Sequence, residues 1–156
     1  MRRLAALFTL LALAAPLAAF AGPRVAGDGT IAIRDLNGFF TVTARGATAG
    51  RCDRCFLRIV ELSEDAPIDP LVFGAKEQDL DGDGDFDRYR VRDGRWKIIG
   101  GFFRVRVTAA TDADISIVGR GSAQLRGTAG TYSVNGGDFL AVPTELTPIV
   151  LRAATP

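Results

Sequence analysis

The densest chemistry in the chain lies in nine residues, Asp79-Leu80-Asp81-Gly82-Asp83-Gly84-Asp85-Phe86-Asp87. Five carboxylates alternate along it, and Gly82 and Gly84 permit a tight turn. A hard cation such as calcium takes six to eight oxygens at about 2.4 Å, and a glycine turn lets alternate side chains converge on one point. The spacing places Asp79, Asp81, Asp83, Asp85 and Asp87 at loop positions 1, 3, 5, 7 and 9 of an EF-hand-like calcium site, with Gly84 at position 6. Without a counter-ion, five like charges in nine residues repel, so calcium is the expected cofactor. A solvated acidic turn is the plain alternative.

Position 12, where an EF-hand carries a bidentate Glu, is Arg90, and no amphipathic helical pattern flanks the loop. The segment therefore resembles the D-x-D-G-D-G-x-x-D calcium loops of extracellular modules such as thrombospondin type 3 repeats and integrin-like β-propeller blades. The resemblance covers about nine residues and implies the metal role alone. Glu77, Glu64, Asp65 and Asp93 are candidates for the missing acid.

Cys52 and Cys55 are the only cysteines, and the chain has no His. Without His there is no Ser-His-Asp or Cys-His arrangement and no imidazole metal ligand. The lone C-x-x-C lacks the two further ligands that a zinc site needs. It also stands in a region that reads as a hairpin turn rather than at the start of a helix, the context of a redox motif. A Cys52–Cys55 disulfide closing a tight turn is expected, stabilising by about 2 kcal/mol.

The elements that must position these residues read as strands. Val, Ile, Phe and Thr alternate with polar residues between Gly and Asp-Gly turn signals, and no segment after the leader shows a capped 3.6-residue period. The pattern predicts strands near 30–34, 39–45, 56–62, 87–92, 95–99, 102–108, 114–118, 121–126, 130–134 and 148–152, with a long connection from 63 to 77. An all-β fold follows, an antiparallel β-sandwich or closed barrel. Asp28-Gly29-Thr30-Ile31-Ala32-Ile33 with Gly38-Phe39-Phe40 is echoed by Asp93-Gly94-Arg95-Trp96-Lys97-Ile98 with Gly101-Phe102-Phe103. The echo suggests two similar hairpin halves. Trp96 and Tyr89 alternate with cations and belong to the apolar face. If the strands holding Arg88 to Arg92, Arg95 to Lys97 and Arg104 to Arg106 are neighbours, their cations share one sheet face.

At the N-terminus, Arg2-Arg3, an apolar run from Leu4 to Leu17 and Ala19-Phe20-Ala21 form the n-region, h-region and cleavage site of a signal peptide. Cleavage after residue 21 leaves a single domain, 22–156, with 17 Lys and Arg against 18 Asp and Glu. So balanced a charge points to neither nucleic acid nor, once the leader is removed, a membrane. The expected location is secreted, periplasmic or cell-surface.

From Arg90 through Trp96-Lys97-Ile98-Ile99-Gly100-Gly101, Phe103-Arg104-Val105-Arg106-Val107 and Ile115-Ser116-Ile117-Val118 to Gly130-Thr131-Tyr132-Ser133-Val134-Asn135, the chain is similar to functionally uncharacterised secreted β-rich proteins of high-GC bacteria. The resemblance spans residues 28–142, implies an exported all-β protein and brings no active site. The expected function is an exported, calcium-stabilised β-module with a structural or binding role at the cell envelope, envelope polysaccharide being a candidate partner. A calcium-dependent polysaccharide hydrolase and a carbohydrate-binding module are the alternatives. The acids cluster in one loop rather than flanking a cleft, which disfavours the hydrolase.

Overall fold

The computed structural model describes residues 26–77 and 87–153. The apolar leader, together with Asp79, Asp81, Asp83 and Asp85, lies outside the described residues. Six antiparallel strands and no helix are found among those described: β1 (Gly29–Glu61), β2 (Leu71–Glu77), β3 (Asp87–Ile98), β4 (Phe102–Val134), β5 (Leu140–Ala141) and β6 (Thr147–Leu151). Their order is β2-β3-β1-β4-β5, with β6 also on β4. The sheet is not closed into a barrel, and the arrangement is sandwich-like.

β1 and β4 are each 33 residues long. A straight strand of that length would reach roughly 110 Å, several times the width of a domain this size. Both strands must therefore fold over. Gly29 pairs with Gly119, and Gly119 pairs with Gly46, so β1 returns beside itself 17 residues later with β4 between its two passes. The β1–β4 ribbon is thus doubled into two layers. One contains residues 29–34, 46–51, 95–98, 113–119 and 131–134. The other contains residues 38–45, 54–61, 87–92, 102–108 and 120–127. Register pairs outside the corners stay within one layer.

A ribbon that crosses between layers must keep its apolar side chains inward, yet a one-residue slip turns every side chain to the opposite face. The chain makes such slips at its corners. Buried positions run Ile31, Ile33, then Leu36, Phe40, Val42 and Ala44 in β1, and Val105, Val107, then Ala110, then Ala113, Ile115 and Ile117 in β4. The step is three rather than two on passing Asp35 (φ 53°), Ala109 (φ 49°) and Asp112 (φ 52°). Asp93 (φ 46°) does the same between Val91 and the buried Gly94, Trp96 and Ile98 of β3. Asp tolerates the left-handed region better than most residues, which suits it to these bulges. The result is a single core that includes Trp96, Phe40, Phe103 and Leu57.

Several expectations change. The predicted strands fall on observed ones, but neighbours merge across the corners, and residues 71–77 form β2 rather than the end of a long connection. Neither copy of the internal echo is a hairpin: from Gly29 to residue 48 the first runs on within β1, whereas 93–111 pass from β3 through the Ile99–Gly101 connection into β4, with β1 between those strands. Phe40 and Phe103 do take matching buried positions, and Phe39 and Phe102 matching outer ones.

Candidate functional site

The acidic segment joins β2 to β3, which pair as antiparallel neighbours with Glu77 opposite Tyr89. β2 ends the strand order, so this hairpin forms an edge of the sheet. Of the five predicted metal ligands, only Asp87 is described, as the first residue of β3 and the partner of Ile59. Arg90, at the position an EF-hand gives to Glu, is exposed on β3 with its guanidinium 5.3 Å from the centre of the Phe56 ring. Among the described residues, no group of three or more His, Cys, Asp or Glu is placed to hold a metal ion.

The topology sorts the candidates for a further ligand. Asp93 stands six residues along β3 from Asp87, roughly 20 Å of extended chain. Glu77 ends β2 directly before the loop. β1 runs past the first residue of β3 to Glu61, so Glu64 and Asp65 in the following turn belong to the loop end of the sheet. Glu61 itself accepts a hydrogen bond from the Ile68 N–H at 3.0 Å and so holds the connection to β2.

Cys52 and Cys55 are paired as a disulfide, both buried. They lie inside β1, not in the hairpin turn expected from sequence. Three residues of extended strand span about 10 Å, whereas these Cα atoms are 6.2 Å apart. The strand is bent sharply here, and the disulfide fastens the corner where β1 passes from one layer to the other.

Asp114 also holds the crossings between layers. One carboxylate oxygen accepts from the Asp35 N–H at 3.1 Å, and the other accepts from Arg51 Nε at 2.7 Å. First that hydrogen bond and then the Asp114 charge hold the Arg51 guanidinium above the ordinary arginine range. A raised value means that the cation's contribution is complete below the ordinary arginine pKa and fades only in strong alkali. Asp114→Ala leaves the left-handed Asp35 corner without its acceptor and should cost about 1–2 kcal/mol, with Asp114→Asn losing less. Urea midpoints at neutral pH measure both. Sequence reasoning missed Asp114, because its partners stand 63 and 79 residues away.

The outer surface of the second layer carries a repeated pairing. Phe39 opposes Arg126, Phe102 opposes Arg45, and Phe56 opposes Arg90 in direct register. Each guanidinium lies 5.3–5.9 Å from the ring centre. Phe73 and Arg95 repeat the arrangement on the first layer at 5.1 Å. Cation–π contact with a cross-strand Arg thus covers the rings that alternation forces outward. The cations expected on one face are divided: Arg88, Arg90, Arg92, Arg104 and Arg106 share the second layer, while the slip at Asp93 moves Arg95 and Lys97 to the first. No protein-family model, no curated protein and no solved structure matches the chain.

Proposed function

We propose that this chain is an exported, non-catalytic β-module with a structural or binding role at the cell envelope, its edge hairpin clamped by a calcium ion at Asp79, Asp81, Asp83, Asp85 and Asp87. The supporting observation is the position of the acidic segment as the connection between the edge strand β2 and its neighbour β3. A loop in that position brings alternate carboxylates together only at a Coulombic cost that a divalent cation offsets. Ion binding there ties β2 to β3 and stabilises an edge that β2 alone, seven residues long, holds weakly. Secretion agrees with the leader pattern, and an oxidising compartment suits the Cys52–Cys55 pair.

Millimolar calcium should raise the free energy of unfolding by about 1–3 kcal/mol relative to EDTA, as expected for a site of extracellular affinity. Magnesium should do much less, because it dehydrates reluctantly. Replacing Asp81 and Asp83 together by Ala should abolish the calcium effect and leave the EDTA value unchanged or higher. Equal melting temperatures in calcium and EDTA would reject the metal clamp.

A further inference from the structure

We propose that the outer face of the second layer, where β3, β1 and β4 lie side by side, binds a linear acidic polysaccharide. The inference rests on reading the chain as a binding module, and it does not depend on the calcium site.

The strands of this layer, residues 38–45, 54–61, 87–92, 102–108, 120–127 and 147–151, contain ten Arg, and their only acids are Glu61 at the end of β1 and Asp87 at the start of β3. All ten Arg are exposed. Three lie over Phe rings, and Arg120 pairs with Asp28 at 3.2 Å. Arg104 donates to the Thr43 hydroxyl, and the other five stand opposite one another in register, Arg58 having a further contact of its own. Arg88 opposes Arg58, and Arg58 opposes Arg106, giving a row of three guanidinium groups across three adjacent strands; Arg54 opposes Arg92 in the next part of the same face. Like charges directly opposite each other destabilise a sheet. A solvated face would alternate signs, as the chain has acids enough to do. Its described acids stand instead in corners, connections and at strand ends, apart from Asp114 on the first layer.

Adjacent strands are about 4.8 Å apart, so a polyanion lying across β3, β1 and β4 meets a guanidinium on each. The residues that continue the row favour a carbohydrate. Thr41 and Gln124 follow Arg106 in register, and Arg104 Nε donates to the Thr43 hydroxyl at 3.1 Å. Hydroxyl and amide groups beside guanidinium groups suit a chain of sugar hydroxyls and carboxylates. Single-stranded nucleic acid would need open rings for base stacking, and Phe39, Phe56 and Phe102 lie under Arg. An anionic membrane would favour apolar side chains among the cations; the exposed Leu71, Phe73 and Ile99 lie on β2 and the β3–β4 connection, and Val150 lies on β6 at the far side of the layer, away from this row.

The test is binding of the full chain to polygalacturonate, dextran, a single-stranded DNA oligomer and phosphatidylglycerol vesicles, each in calcium and in EDTA. Polygalacturonate should bind most tightly, weaken as salt rises and exceed dextran in both conditions. Arg88→Gln with Arg106→Gln should weaken that binding about tenfold without lowering the melting temperature, whereas Arg34→Gln with Arg95→Gln, an equal loss of charge on the first layer, should change it less than about twofold. Equal losses in the two variants, absence of polygalacturonate binding, or tighter binding to DNA or vesicles would each overturn the proposal. Loss of the calcium effect on melting with polygalacturonate binding intact would reject the metal clamp alone.

Discussion

Gly119→Ala is expected to lower stability by about 3 kcal/mol or more and the melting temperature by roughly 10 °C or more. Gly119 stands in register between Gly29 and Gly46, where the ribbon turns from one layer to the other. Its φ is 153°, and an added Cβ would run into the carbonyl oxygen of Arg45 and lie 2.9 Å from the Gly46 Cα. Those neighbours are backbone and cannot rotate away. Gly100→Ala is the matched control: its φ is 76°, but nothing lies within 4 Å of the new methyl group. It carries only the conformational cost, about 1 kcal/mol. Thermal unfolding monitored by circular dichroism separates the two, and a Gly119→Ala protein as stable as the Gly100→Ala protein would remove the close-approach argument.

Trp96→Ala should cost about 3–5 kcal/mol, the range for emptying a large aromatic site. Trp96 is 2 % exposed and heads the largest fully buried side chains. It opposes Gly50 in register, and its six-membered ring occupies the space where a Gly50 Cβ would project. The pairing covers a side-chain-free position in β1 with the largest ring on β3, which fills the core beside the first-layer strands. Trp96 Nε1 has no hydrogen-bond partner among the described residues. Trp96→Phe removes that unsatisfied donor together with part of the ring, so it should lose much less than Trp96→Ala, about 1–2 kcal/mol. The urea midpoints of the two variants give the comparison. In the parent protein, the emission of this single Trp should shift to longer wavelength on unfolding. An exposed ring, seen as emission unchanged by urea, would contradict the packing.

The inner face of each strand segment was legible because alternation has a short period and needs only local sequence. Ile31 and Ile33, Val105 and Val107, and Ile115 and Ile117 are buried as the pattern predicts, and so are Trp96 and Tyr89. The corners were less legible. Asp35, Asp93, Ala109 and Asp112 look like turn or filler residues in a linear reading, and their role shows only as a step of three between inward positions. β2 escaped because Pro70, Gly74 and Lys76 break the apolar alternation. The Cys52–Cys55 disulfide was expected from composition and compartment, but its place at a layer crossing was hidden, since nothing local distinguishes a bent strand from a hairpin turn.

The all-β class, the inward set of side chains, the cysteine pairing and the spacing of the acidic segment follow from residue type and near-neighbour spacing alone. Folding is what doubles two 33-residue strands back in register, makes the acidic segment the connection from the edge strand β2 to β3, and gathers Arg on one layer while most described Asp and Glu stand in corners, connections or at strand ends. A near-zero net charge is a sum over the chain, and a sum has no position. The separation of charge arises when the ribbon folds at Gly46, Gly119 and the Asp corners, which bring residues far apart in sequence, such as Arg58, Arg88 and Arg106, onto one surface.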